Sequence, residues 1–272
     1  MRGFGFGFEF GRIGKSGGSS YDPAATALFA RMTVQPDNTR KSLINSLITT
    51  LKANGIWANF DALYVMAAHD AQAARLNWVQ DLYNLTAVNS PVFTIDRGYA
   101  GDGSTAMLVT GITPAAAGLK FKQNSSHISC YDRTARAADG TAQIGALTGP
   151  IATYIQTRGT SDLLNSALND GGSGAGIANA ANPGFYAIDR VSSTSFRAYK
   201  SGAYLGPVTI ASSAPTNGAQ FTLLAVNSDG GTSAFTTDQL AAATIGAGLG
   251  TTMQPQLYTA LQAYMTGVGA NV

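Results

Sequence analysis

The stretch GFYAIDRVSSTSFRAYKSG, residues 184–202, decides the fold class. Its aromatic and β-branched residues fall into two short runs, 184–191 and 195–200. Ser192, Ser193 and Thr194 make a tight turn between them, and Lys200, Ser201 and Gly202 make another. The same punctuation runs outward from here through everything after Asn84. Further strands are expected at 106–109, 127–131, 208–211 and 221–226, parted by Gly, Asn, Asp and Ser at the spacing of a β-sandwich. Residues 171–176, GGSGAG, read as a surface loop.

Upstream the period changes. Asp22 and Pro23 cap and open a helix that runs to Met32. A second helix begins at Pro36-Asp37-Asn38, carries Leu43, Ile44, Leu47, Ile48 and Leu51 as one apolar stripe, and stops at Gly55. Two further short helices are expected at 60–69 and 70–78, which makes 21–83 a helical segment. A last amphipathic helix, 252–267, presents Leu257, Tyr258, Leu261, Tyr264, Met265 and Val268 on one face, suited to covering the sandwich of residues 84–272. The first twenty residues differ from all of this. Phe4, Phe6, Phe8 and Phe10 alternate with Gly3, Gly5, Gly7 and Glu9, so an extended backbone puts four rings on one side. Such a strand must dock on its own domain or on another subunit. The Gly- and Ser-rich 11–20 that follows reads as a linker, and the pair forms an anchoring arm.

Composition narrows the function classes. Only 12% of the 272 residues are charged, against roughly 25% in ordinary soluble proteins. The net charge of +2 is scattered, so no phosphate-binding stripe exists and no nucleic-acid partner is expected. No apolar run approaches the ~18 residues of a membrane span, so no membrane insertion is expected, and no signal peptide is read at the start. The single Cys130 rules out an internal disulfide.

Motifs for catalysis are thin. Gly11 to Ser16 ends like a P-loop, but Glu9 stands where the loop needs its first glycine. The sole glutamate is Glu9, which excludes a Glu-x-Asp-x-x-Glu glycosidase; Asp96 and Asp102 remain the nearest aspartate pair. His69 and His127 lie near no nucleophile turn. Asp96, Asp102 and Asp229 are the candidate ligands of a structural calcium ion. For sugar recognition the candidates are Tyr99, Tyr154, Tyr199 and Tyr204, with Asp102 for hydroxyl groups. The chain is not expected to be an enzyme.

Two sets of residues carry a resemblance. AAHDAQAARLN (67–77), NLTAVNSP (84–91) and DRGYAGDGS (96–104) resemble a group of bacteriophage and prophage virion-associated proteins, over most of the chain after residue 20. SFRAYKSG (195–202) is similar to the strand that carries Tyr-x-Asn-Gly in concanavalin-like and laminin-G-like domains, with Ser201 in the place of the asparagine. DQLAAATIG (238–246) resembles their closing strand. The resemblance implies an antiparallel jelly-roll sandwich on a virion, in a fibre, spike or tail component. The leading expectation is then an arm inserted into other virion proteins, a homo-oligomer, and a lectin-like domain that meets host-surface polysaccharide. The rival expectations are a purely architectural decoration or tail protein, and an aspartate-based polysaccharide depolymerase.

Overall fold

A computed structural model describes Met1 and residues 21–171, 175–209, 213–229 and 231–272. The helices are α1 (Pro23–Ala30), α2 (Asn38–Ala53) and α3 (Gly250–Gly267). One sheet holds β1 (Phe60–Val65), β3 (Val92–Thr94), β4 (Gly98–Ala100), β6 (Ser126–Asp132), β11 (Gly184–Arg190), β12 (Ser195–Lys200), β13 (Ala203–Thr209) and β17 (Gln239–Gly246). The other holds β2 (Thr86–Val88), β5 (Met107–Val109), β7 (Ile144–Thr148), β8 (Ile151–Gly159) and β9 (Leu163–Asp170). It also contains β10 (Ala175–Ala178), β14 (Thr222–Leu223), β15 (Val226–Ser228) and β16 (Gly231–Ser233). The first is ordered β13-β12-β11-β6-β17-β4-β3 with β1 also on β17, and the second β10-β9-β8-β7-β14-β5-β2. Pairing is antiparallel except where β15 runs beside β7. The two sheets face each other as the expected jelly-roll sandwich.

Side chains on the inner faces show how they meet. Thr157 on β8 donates to Asp132 on β6 at 2.8 Å, and the Arg190 guanidinium on β11 donates to the Leu168 carbonyl of β9. The hairpin read from residues 184–202 is present: β11 and β12 pair from Tyr186↔Lys200 to Asp189↔Arg197. Ser201 (φ 46°) and Gly202 (φ 77°) form the two-residue turn into β13. Two positive φ angles in succession are what such a hairpin turn demands.

The outer face of the first sheet is covered by helices. Asp22 and Asp37 cap α1 and α2 as their sequences predict. Leu257, Leu261, Tyr264 and Met265 of α3 are buried, the Tyr131 hydroxyl donates to Gln262 at 2.7 Å, and Tyr258 lies 6.1 Å from the Phe185 ring. The apolar face of α3 therefore closes the sandwich. No helix among the described residues is long and apolar enough to cross a membrane.

Helix α3 is capped from a distance. Its own N-cap residue, Leu249, offers no side-chain acceptor, but the buried Asp189 carboxylate takes the Leu249 N–H at 2.6 Å and the Gly250 N–H at 3.0 Å. A carboxylate at a helix N-terminus satisfies orphan donors and faces the positive end of the dipole. Asp189→Ala is expected to lower stability by about 2 kcal/mol, read as a shift of the urea midpoint. An unchanged midpoint would mean that packing alone holds α3 in place.

Residues 60–78 correct the sequence reading. The expected helix at 60–69 is the strand β1, buried along its whole length against β17. The expected helix at 70–78 is irregular, with a single 3-10 turn at Ala73–Arg75 nucleated by Asp70, which accepts the Gln72 and Ala73 N–H groups. A strand buried on both faces has no alternation, so its continuous apolar run looks like that of a buried helix. Two of the expected strands also shift. The one at 208–211 is β13, which begins at Ala203, and 221–226 is two short pieces, β14 and β15, bent apart at Leu224 (φ 70°).

Candidate functional site

Along β12, Ser195, Arg197 and Tyr199 share one face, and Phe196, Ala198 and Lys200 share the other. The second set points into the sandwich, so Arg197 and Tyr199 stand on the outer, helix-bearing face of the first sheet. The two-residue turn then places Tyr204 of β13 directly opposite Tyr199. Their ring centroids are 5.5 Å apart at 47°. Tyr204 is 51% exposed while Tyr199 is 1% exposed. The outer ring is thus supported from beneath by the inner one.

Two polar groups border this ledge. The Arg197 guanidinium lies 3.6 Å from Asp189, whose carboxylate is already occupied with the start of α3. The Tyr199 hydroxyl is buried and has no hydrogen-bond partner among the described residues. Burial, aided by the nearby Asp189 charge, pushes that hydroxyl up to about 12, so it stays a protonated donor. A buried hydroxyl with no acceptor is costly and uncommon. One half-exposed aromatic face and one cation at a sheet edge form a surface that can stack on an apolar ring face and meet its substituents, with the unpartnered Tyr199 hydroxyl buried behind it. Of the sequence candidates, Tyr199 and Tyr204 are brought together here. Arg197 was not among them; its signal was the period-two spacing from Tyr199.

The other candidates stand elsewhere. Tyr99 is buried on β4, its hydroxyl donating to the Ala71 carbonyl at 2.8 Å, so no ring face is left for a sugar. Asp102 closes its own turn: one oxygen accepts the Ser104, Thr105 and Ala106 N–H groups, and these bonds hold its carboxyl well below the usual carboxylate range. Tyr154 sits half-buried on β8, in the opposite sheet, paired with Gly145, where a Cβ would come within 2.8 Å of its own. The calcium set is corrected as well. Asp96 spends its carboxylate on Arg40 at 2.6 Å, Asp102 on its turn, and Asp229 lies in the turn between β15 and β16. No group of three or more His, Cys, Asp or Glu converges among the described residues. The arm residues Phe4, Phe6, Phe8 and Phe10 lie outside the described residues.

The groups considered for catalysis have structural partners. Cys130 is buried in β6, and burial pushes its thiol up. His69 bonds the Val34 carbonyl at 2.8 Å. His127 is fully buried, with Nδ1 on the Ala247 carbonyl at 2.5 Å and Nε2 on the Thr244 hydroxyl at 3.0 Å. These partners fit a neutral ring that donates from Nδ1. Burial lowers its pKa below the ordinary 6.5. The unfolded chain then takes up a proton below pH 6.5 that the folded chain refuses, so stability is lost as pH falls through that window. The loss is expected at up to about 1.4 kcal/mol per pH unit, measured by denaturant titration between pH 6.5 and 5. Asp132, whose pKa burial raises, acts in the opposite direction. His127 is therefore isolated by comparison with His127→Gln, and an identical pH slope in the two proteins would contradict the assignment.

No protein-family model matches the chain, nor does any curated protein. Solved structures do. The receptor-binding domain of botulinum neurotoxin C/D mosaic serotype matches with a TM-score of 0.55 at 9% identity, over 75% of this chain and 52% of that one. The binding domain of botulinum neurotoxin serotype D gives 0.52 at 9% over the same shares. A mutant of Trypanosoma rangeli sialidase displaying trans-sialidase activity gives 0.52 at 11%, over 82% of this chain and 39% of that one. The chain thus spans between 39% and 52% of the length of these structures. At such identities the likeness is one of fold: this chain is a β-sandwich similar to those found in sialidases and neurotoxin binding domains.

Proposed function

We propose that the chain is a non-catalytic virion component whose sandwich binds host-surface polysaccharide at the Tyr199–Tyr204 ledge. The observation that carries this reading is the ledge itself: a half-exposed ring tilted against a buried one whose hydroxyl has no partner among the described residues, with Arg197 alongside. The sandwich shared with a receptor-binding domain supports a recognition role for the fold. Placement on a virion rests on the resemblance carried by residues 67–77, 84–91 and 96–104, and on the Phe/Gly arm as the attachment to neighbouring virion proteins. Assembly as a homo-oligomer raises the avidity of a weak single site. The non-catalytic reading is supported by the state of the neighbouring carboxylates Asp132 and Asp238. Both are fully buried and bonded to Thr157, Asn182, Arg136 and Gln143.

A glycan array probed with the full chain tests the binding role. Retention on a set of bacterial surface polysaccharides supports it. Silence across the array, with the protein presented as an oligomer, would favour the architectural reading, in which the sandwich contacts only other virion proteins. The anchor is tested separately: deletion of the first 18 residues is expected to abolish incorporation into particles, and normal incorporation would overturn it.

A further inference from the structure

A groove of about 340 Å³ runs between α2 and α3. Leu43 and Leu47 of α2 form one wall, and Pro255, Ala260, Ala263 and Tyr264 of α3 form the other. Small side chains, Ser46, Ala260 and Ala263, meet along it, and its polar groups are the hydroxyls and amides of Thr50, Asn54, Gln256 and Thr259. No charged side chain among the described residues lines it. An apolar furrow in a helical layer wants an apolar strip of chain laid along it.

We propose that this groove binds the chain's own N-terminal arm, with the rings of the Phe4–Phe10 segment inserted between α2 and α3. The chemistry matches: the arm carries a phenyl group at every second residue, about 7 Å apart if extended, and the one charge within the segment, Glu9, falls among the intervening positions. The reach matches as well. Tyr21 is fixed at the far side of α2, its ring edge-on to Phe29 at 5.3 Å. There the Asp22 N–H donates to Asn45, and the Asp22 carboxylate pairs with Lys52. Asn45 and Lys52 lie on the face of α2 turned to α1, nearly opposite the Leu43, Leu47 and Thr50 stripe that faces the groove. To enter the groove the chain has only to cross one helix, about 10 Å wide. Residues 11–20 span up to about 33 Å when extended and are rich in Gly and Ser. Rings held here are not available to a neighbouring virion protein, so the groove is the arm's resting place before assembly.

Cross-linking in the full-length protein tests this. Gly7→Cys in the arm is combined with Ser46→Cys at the groove and treated with a short bis-maleimide. The control pairs Gly7→Cys with Ala27→Cys, exposed on α1 six residues after Tyr21 and so open to a merely tethered arm. The groove pair is expected to link within one chain about tenfold faster than the control, and Phe6→Ser with Phe8→Ser should remove the advantage. Equal rates, or an advantage indifferent to the Phe substitutions, would overturn the proposal. Links formed only between chains would also overturn it, because the groove would then hold a second copy's arm. None of these outcomes bears on glycan binding by the ledge or on incorporation of the truncated chain into particles.

Discussion

Replacing Arg136 with methionine is expected to destabilise the sandwich by about 3–5 kcal/mol, among the largest effects of any single change in the molecule. Asp132 at the end of β6 and Asp238 just before β17 are both buried, and burial together with the Asp238 charge pushes the Asp132 carboxyl well above the usual carboxylate range. Arg136 is the cation that makes this cluster tolerable. Its Nε–H is shared between the Asp238 oxygens at 3.0 and 2.9 Å, and Nη1 reaches Asp139 at 2.7 Å and the Arg158 carbonyl at 2.9 Å. Gln143 adds a bond to Asp238 at 2.5 Å, but it carries no charge. Methionine preserves much of the packing volume and leaves the Asp238 carboxylate buried without a cation. Removing the charge as well, in Arg136→Met with Asp238→Asn, should recover at least half of the loss in urea unfolding. A loss below about 1 kcal/mol, or no recovery in the double variant, would show that water reaches the cluster and screens it.

The second large effect belongs to the ledge. Tyr204→Ala removes the exposed ring and should weaken polysaccharide binding by at least about tenfold, near 1.4 kcal/mol, with stability nearly unchanged because the ring is half in water. Tyr204→Phe should keep most of the affinity, since stacking uses the ring face. Tyr199→Phe is the more revealing change. It deletes a buried hydroxyl that has no protein partner, so folding should be unaffected or slightly favoured. If a bound sugar accepts from that hydroxyl, affinity drops while stability does not. A drop in both would mean that the hydroxyl has a partner inside the folded protein.

How far the sequence foretold this arrangement depends on whether polar and apolar residues alternate where the chain needs them to. The 184–202 hairpin was legible because its turn residues are unambiguous and its strands carry aromatics. Helices α1 and α2 were legible from Asp22 and Asp37, whose side chains do cap them. The hairpin of β8 and β9 went unread for a specific reason. Its inward-facing Thr153, Thr157 and Ser166 are fully buried, while Tyr154 and Gln156 face outward, so both faces carry polar groups and the period of two vanishes. Strand β1 failed in the opposite way, being buried on both faces and apolar except at Asp61.

The site was only half readable for a related cause. That Tyr199 and Tyr204 lie close to a turn could be seen, and a two-residue turn makes them cross-strand partners. That Tyr99 is spent on Ala71, 28 residues away in sequence, could not be seen, because nothing local announces a tertiary hydrogen bond. The same holds for the cap that Asp189 places on α3 from 60 residues away. It holds too for Arg136 and Asp238, joined across 102 residues. Each of these polar residues looks like an ordinary surface residue until the two sheets close over it.

The most direct test of the central claim compares the full-length protein with Tyr204→Ala on host cells that carry their surface polysaccharide and on cells stripped of it. The wild-type protein is expected to be retained only by cells with the polysaccharide, and Tyr204→Ala, equally folded, to be washed from both. Retention of Tyr204→Ala at the wild-type level, or wild-type binding that persists on stripped cells, would contradict it.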